Sequence, residues 1–134
     1  MDLIIDANIL FAALIRKGAT VELMLDQNMH LFAPEFILDE FLKYQTEILD
    51  ITKRTQEEFF PIFESLKQII TLVPLEEFKD YLPKAREVCP APEDVQYFAL
   101  ALKLNCPIWT NEKKLKNQTQ VKIYTTAELL RGIF

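Results

Sequence analysis

Acidic residues accompany two apolar stretches of this sequence. Asp6 interrupts LIIDANIL (residues 3–10), where an ionised carboxylate taken out of water is costly unless a cation or hydrogen-bond donors meet it. Glu112 comes just after PIWT (107–110) and is followed by lysines. On spacing alone, Glu112 fits a solvated turn as well as it fits a site. If both stretches are parallel strands, the two carboxylates lie at the edge of the sheet where ligands bind.

The helical pattern that begins at Pro92 supplies a third acid. At about 100° per residue, its polar side chains Gln96 and Lys103 share one face, and Asp94 lies on the opposite, apolar face. An acid in the first turn complements the helix dipole, and Glu93 suits that role. Asp94 does not suit that role, because the interaction with the helix dipole is weak compared with the cost of burying its carboxylate. We therefore interpret Asp94 as a functional residue.

A fourth acid, Glu40, lies on the helical stretch that follows Pro34. It occupies the edge of the apolar face, between Phe36 and Tyr44. Acids are common at the boundary of a core, so a purely structural role for Glu40 stays open. Its neighbour Asp39 lies opposite the apolar face and is expected to be solvated.

Carboxylates gathered in one place repel one another unless a cation joins them. Where all the ligands are oxygens, hard ions such as Mg²⁺ or Mn²⁺ are favoured. Such ions bind phosphate oxygens and lower the pKa of a bound water, which is the chemistry of phosphodiester cleavage. The acids therefore favour a metal-dependent reaction at phosphorus.

Missing residue types exclude other chemistry. The two glycines are not in strand-to-helix turns, so no Walker loop or GxGxxG phosphate cradle is formed. A single histidine excludes the usual histidine metal sites and Ser-His-Asp relays. The run ITLV ends at Pro74, where a receiver domain would need a phosphoacceptor aspartate. Asn8 stands where a haloacid-dehalogenase-type phosphatase needs its second aspartate.

An alternation of strands and helices must position these acids. Strands are expected at five short apolar runs, LIID (3–6), HLFA (30–33), ITLV (70–73), PIWT (107–110) and VKIY (121–124). Helices are expected between and after them, namely a first helix that stops at Gly18, then 20–28, 34–49, 55–69, about 76–88, a helix from Pro92, and a short helix at the end of the sequence.

Two details of the helix over 55–69 are predicted from its sequence. Thr55 and Glu58 form a capping-box pattern, and Pro61 is expected to kink the helix or delay its start. Strands separated by helices pair in parallel. We therefore expect one domain over residues 1–134, a three-layer α/β/α fold with a central parallel sheet of about five strands.

Bulk properties fit a soluble protein. The chain has 134 residues, half of them hydrophobic, which is enough for a sizeable core. Its net charge of −5 argues against a surface that coats nucleic acid, although a local basic patch is compatible with it. Cys89 and Cys106 have no metal-like spacing, and neither a leader peptide nor a membrane span is visible. We expect a cytoplasmic protein with no membrane partner.

Taken together, these residues resemble the PIN domain family, the fold of many toxin ribonucleases in toxin–antitoxin pairs. The resemblance covers essentially the whole chain. It depends on IIDANIL with Asp6 and Asn8, the glutamate of FILDEF, the segment PEDVQYFALALKLNCPIWTNEKKL, and VKIYT. The long segment is the most specific, because it joins an acid-led helix to a strand that ends in threonine.

The resemblance implies a divalent-metal-dependent endoribonuclease, frequently a homodimer, with an antitoxin as its partner. It implies a catalytic, metal-binding quartet of Asp6, Glu40, Asp94 and Glu112, supported by hydrogen bonds from Asn8 and Thr110. The family usually has aspartate where this chain has Glu112, and the extra methylene could shift the geometry of a bound metal. The alternative is a PIN-like scaffold that binds RNA or a protein and cleaves weakly or not at all.

Substrate and partner contacts have weaker signals. Basic side chains beside the acids could hold RNA phosphates, although lysine runs are more often solvated; these are Arg16, Lys17, Lys113 and Lys114. The aromatic cluster Phe59, Phe60 and Phe63 is expected to belong to the core. An exposed part of that cluster would indicate a dimer or antitoxin interface.

Overall fold

A five-stranded parallel sheet organises the protein, which we describe from a computed structural model over residues 1–16 and 18–132. Its strands are β1 (Asp2–Ile5), β2 (His30–Pro34), β3 (Ile70–Val73), β4 (Ile108–Trp109) and β5 (Ile123–Tyr124). They lie in the order β3-β2-β1-β4-β5, and every neighbouring pair is parallel. The predicted α/β fold with a parallel sheet of five strands is confirmed.

Helices connect the strands and cover the sheet. Within the described residues they are α1 (Ala7–Ile15), α2 (Ala19–Met24), α3 (Phe36–Thr52), α4 (Gln56–Ile69), α5 (Leu75–Phe78), α6 (Leu82–Val88), α7 (Val95–Leu104) and α8 (Thr126–Leu130). In that same part of the chain, no helix is long and apolar enough to cross a membrane.

For Pro61 the sequence left two alternatives, a kink or a delayed start, and the structure contradicts the delayed start. Helix α4 runs through this proline, so Pro61 does not delay its start. The helix begins where the capping box of Thr55 and Glu58 satisfies its first amides, as predicted. Proline removes only its own amide hydrogen bond, and the buried residues Phe59 and Leu66 anchor the helix on either side of it.

Other helices also differ from their predicted bounds. Helix α1 ends at Ile15, before Gly18, and α3 covers Phe36–Thr52 where 34–49 was predicted. The helix expected over 20–28 ends at Met24, because Asp26 accepts a hydrogen bond from the amide of Asn28 and turns the chain. The stretch 76–88 divides into α5, a 3₁₀ turn and α6, and a proline in the first turn of α6 favours a new start there. The residues from Pro92 form a 3₁₀ turn, and α7 begins only at Val95.

The centre of the sheet is its most buried part. Leu3, Ile4 and Ile5 of β1 have no exposed surface, and neither has Trp109 of β4. The pairing of Ile5 with Trp109 brings the carboxyl ends of the two strands side by side. The residues that follow them, Asp6 and Thr110, therefore meet at one edge of the sheet.

Candidate active site

Asp6 stands between β1 and α1 as the N-cap of that helix. Its Oδ1 accepts a hydrogen bond from the amide of Ile9 at 3.0 Å, and its Oδ2 accepts one from the Thr110 hydroxyl at 2.5 Å. Burial, with a smaller contribution from the charge of Glu40, raises the pKa of Asp6 to about 6 although these hydrogen bonds lower it. The neighbouring donors therefore hold the Asp6 carboxylate in place without fully compensating its charge.

Thr110 joins Asp6 to Glu112. Its side chain has no exposed surface, and its hydroxyl accepts a hydrogen bond from the amide of Glu112 at 3.0 Å while it donates to Asp6. The Glu112 residue is exposed. Thr110 thus fixes the backbone at Glu112 relative to the buried Asp6, and the longer Glu112 side chain extends from that point.

Asp94 lies at the amino end of α7, and it is half-buried without capping that helix through its side chain. Burial and then the charges of four acids, in the order Asp6, Glu93, Glu40 and Glu112, raise the pKa of Asp94 to about 6. The structure therefore brings the other three acids identified from the sequence near the carboxyl group of Asp94. We call Asp6, Glu40, Asp94 and Glu112 the acidic cluster.

Glu40 in α3 has a buried partner that the sequence patterns did not indicate. The hydroxyl of Tyr97 in α7 donates a hydrogen bond to Oε1 of Glu40 at 2.8 Å. The apolar periodicity of α7 made Tyr97 look like an ordinary core residue. A signal was present nevertheless, because a buried tyrosine hydroxyl needs a partner and Tyr97 lies one helical turn after Asp94.

Two of the lysines that follow Glu112 form ion pairs with acids outside the acidic cluster. Nζ of Lys114 lies 3.6 Å from Oε1 of Glu93, and Lys116 is paired with Glu128 at 2.6 Å. Within residues 1–16 and 18–132, no ion pair involves a member of the acidic cluster. Two acids with raised pKa values thus face one another without a neutralising side chain.

The donor set of the acidic cluster suits a hard divalent cation. All of its side-chain ligands would be carboxylate oxygens. In the described part of the chain, no three His, Cys, Asp or Glu side chains are close enough together to hold a metal directly. This arrangement fits Mg²⁺ or Mn²⁺ better than a metal that needs a closed cage, because Mg²⁺ usually keeps several waters and takes only one or two carboxylates.

The residues predicted for RNA contact divide into two groups. Arg16 is exposed and lines a groove of about 750 Å³, together with Asn111, which precedes Glu112, and with Asn8, which was predicted to support the acids and is also exposed. The backbone amide of Asn8 also contacts the Asp6 carboxylate. Lys113 and Lys114 are exposed beyond Glu112, Lys114 being paired with Glu93, and Lys17 lies outside the described residues.

The aromatic cluster of α4 is partly exposed. Phe59 is 2% exposed and stacks on Phe41 of α3, with ring centroids 5.6 Å apart. Phe60 is 61% exposed and Leu42 of α3 is 65% exposed. Both line an apolar groove of about 550 Å³ between α3 and α4. Only part of the cluster therefore belongs to the core.

Comparisons with known proteins agree with this architecture. A family model described as "PIN domain" matches residues 4–131. The crystal structure of VapBC2 from Rickettsia felis bound to a DNA fragment from their promoter contains a chain of the same fold, with a TM-score of 0.74 and 13% sequence identity. The match covers 93% of this chain and 98% of that one. No curated protein sequence matches the chain.

Proposed function

The chain belongs to the PIN domain family, a family of nucleases, and from this premise we propose that it is a divalent-metal-dependent endoribonuclease that cleaves RNA phosphodiester bonds. The observation that carries the proposal is the acidic cluster. Its members Asp6 and Asp94 are ionisable groups with raised pKa values, and their charge is not met by an ion pair in the described residues. We take residues 1–134 to act as one domain.

We assign the holding of the cation to Asp6, Glu40, Asp94 and Glu112, with one or two of these carboxylates in direct contact and the others acting through bound water. A bound Mg²⁺ or Mn²⁺ would polarise a phosphate oxygen and lower the pKa of an attacking water. Asp6 is kept in one orientation by its hydrogen bonds with Ile9 and Thr110, so it would meet the cation without rearrangement. Thr110 would also keep the start of the Glu112 side chain beside Asp6.

RNA would approach the acidic cluster along the groove lined by Asn8, Arg16 and Asn111. Asn8 is two residues after Asp6 and Asn111 directly precedes Glu112, so a strand that extends from Arg16 at the far end of α1 toward them would place a phosphodiester near the acids. The Arg16 guanidinium can contact phosphate, and the two amides can form hydrogen bonds with bases or sugars. Lys113 and Lys114 would contact phosphates on the other side, and Lys114 would have to exchange Glu93 for phosphate.

A toxin–antitoxin role is the biological setting that we propose. The similar structure named above is of a VapBC2 complex, and this chain has an apolar groove containing the exposed residues Phe60 and Leu42. Exposed apolar patches of this kind are covered by protein partners. We propose that the chain acts in the cytoplasm, forms a homodimer and is held by an antitoxin.

The experiment that tests the nuclease proposal is cleavage of single-stranded RNA with Mg²⁺ or Mn²⁺, with and without a chelator. We expect chelator-sensitive cleavage by the wild type, and a loss of at least about 100-fold in Asp94→Asn. Asp39→Asn is the matched control, since Asp39 is an exposed acid next to Glu40. Activity that survives both the chelator and Asp94→Asn would contradict the metal mechanism.

Glu112 supports a second candidate, a PIN-like scaffold that binds RNA or protein without efficient cleavage. The residue is exposed, and its carboxylate is one methylene longer than the aspartate usual in the family. RNA binding measured by fluorescence anisotropy distinguishes the two functions. Binding of normal strength without cleavage in either metal would favour the scaffold.

A further inference from the structure

Tyr97 connects the two helices that carry Glu40 and Asp94. Its ring packs against Phe36, with centroids 6.1 Å apart, and Phe36 lies one turn before Glu40 in α3. Its hydroxyl donates to Oε1 of Glu40 at 2.8 Å. Asp94 lies three residues before Tyr97, at the start of α7. The Tyr97 side chain therefore contacts α3 at two points and connects it to the start of α7, where Asp94 lies.

The Tyr97 hydroxyl is a permanent donor. The residue is 1% exposed, its hydroxyl donates to Glu40, and a tyrosine hydroxyl is protonated at neutral pH. The charges of Asp6 and Asp94 also reach this hydroxyl. Tyr97 thus remains neutral among three acids and contributes a proton for hydrogen bonding without adding negative charge.

Glu40 needs such a partner if it is to act as a ligand. A glutamate side chain has three rotatable bonds, and ordering it costs conformational entropy. Glu40 is only partly buried, and in the described residues Tyr97 is its hydrogen-bond partner. The bond occupies one carboxylate oxygen and leaves the second for a cation.

We propose that Tyr97 is the positioning residue of the metal site, which orients Glu40 through the hydrogen bond to Oε1. The inference rests on the proposed function and extends it by one residue. An alternative is that the hydroxyl merely satisfies a polar atom of the core. The two roles predict different effects on metal affinity, because a core hydroxyl would affect stability alone.

The test is the Mn²⁺ affinity of the full chain, measured by calorimetry and by the electron paramagnetic resonance signal of free Mn²⁺. Tyr97→Phe keeps the ring against Phe36 and removes only the donor. We expect its affinity to fall about 10- to 100-fold, as is typical when an outer partner of a metal ligand is lost. The control is Tyr44→Phe, which also removes a tyrosine hydroxyl. Tyr44 lies in α3, one turn after Glu40, and this variant should bind Mn²⁺ like the wild type.

Two further variants show whether Tyr97 acts through Glu40. The double variant Tyr97→Phe/Glu40→Gln should bind no more weakly than Glu40→Gln alone, since the bond has nothing left to orient.

The outcomes separate this inference from the proposed function. Wild-type affinity in Tyr97→Phe would overturn the role of Tyr97 while leaving the nuclease proposal intact. A Tyr97→Phe effect that persists in full without the Glu40 carboxylate would also overturn it. Failure of the wild type itself to bind Mn²⁺ would overturn both.

Discussion

The Thr110 hydroxyl donates a 2.5 Å hydrogen bond to Oδ2 of Asp6, although the two residues are separated by 104 positions in the sequence. Parallel pairing of β1 with β4 makes this contact, since Ile5 and Trp109 are in register and the next residue on each strand continues beyond the sheet. The same hydroxyl accepts from the amide of Glu112. A single threonine therefore organises two of the four acids.

Thr110→Val should lower both the free energy of unfolding and the rate of RNA cleavage. Valine has nearly the same shape, but it leaves the Asp6 carboxylate and the Glu112 amide without this partner. Loss of a buried hydrogen bond to a charged group costs about 1.5–3 kcal/mol. Urea unfolding at pH 7.5 in the presence of a chelator measures that loss. Thr110→Ser keeps the hydroxyl and should retain most of the stability and cleavage; equal losses in both variants would contradict this role.

Much of this arrangement could be predicted from the sequence because burial follows local patterns. The apolar runs predicted all five strands. Asp6 was singled out because it interrupts an apolar run, and Asp94 because it lies on the apolar face of a helix. The partner of Glu40 could not be predicted in the same way. Tyr97 counts as apolar in a helical pattern, and its contact with Glu40 depends on how α3 and α7 pack across 57 residues of sequence.

Helix ends were predicted less well, for a related reason. Pro61 is unfavourable within a helix, but the capping box and buried residues on both sides outweigh its lost hydrogen bond. Propensity is a local quantity, whereas these stabilising contacts are made with the rest of the protein. The positions of the acids relative to the strands were therefore easier to predict than the ends of the supporting helices.

Asp6→Asn should stabilise the protein in the absence of metal, and the gain should depend on pH. Because the pKa of Asp6 is about 6 in the folded state against an ordinary 3.8, the folded state binds its proton more tightly than the unfolded state. The stability of the wild type therefore falls as pH rises from about 4 to 6, and the full cost applies above pH 6. Asparagine avoids that cost and still caps α1.

Urea unfolding in a chelator at pH 4, 5, 6 and 8 measures this effect. We expect Asp6→Asn to equal the wild type near pH 4 and to be roughly 1–3 kcal/mol more stable at pH 8. Added Mn²⁺ should reverse the order at pH 8, because a ligand bound only by the folded wild type stabilises it. A variant less stable than the wild type at pH 8 without metal would show that the Asp6 charge is compensated within the protein.

Glu112→Asp should raise the rate of RNA cleavage. The substitution restores the side-chain length usual in the family, at a backbone position that Thr110 already holds beside Asp6. Misplacement of a reacting group by about 1 Å can cost as much as 100-fold in rate, so a gain of about 10-fold is expected. Since Glu112 is exposed, its free energy of unfolding should change by less than about 0.5 kcal/mol. An unchanged rate would mean that the extra methylene does not limit this site.

Truncation of Phe59 and truncation of Phe60 should have very different effects on the free energy of unfolding, although the two residues are adjacent in α4. Phe59 is 2% exposed and stacks on Phe41, so Phe59→Ala should lose about 3–5 kcal/mol of stability. Phe60 is 61% exposed, so Phe60→Ser should change the stability of the monomer by less than about 0.5 kcal/mol.

The effect of Phe60→Ser should instead be on self-association. If the groove between α3 and α4 is the dimer surface, removing its exposed aromatic ring takes away apolar area that the second copy would bury. Sedimentation equilibrium at micromolar concentration should show a dimer for the wild type and a shift toward monomer for Phe60→Ser. A dimer of equal strength in both would place the self-association surface elsewhere and leave this groove for a different protein partner.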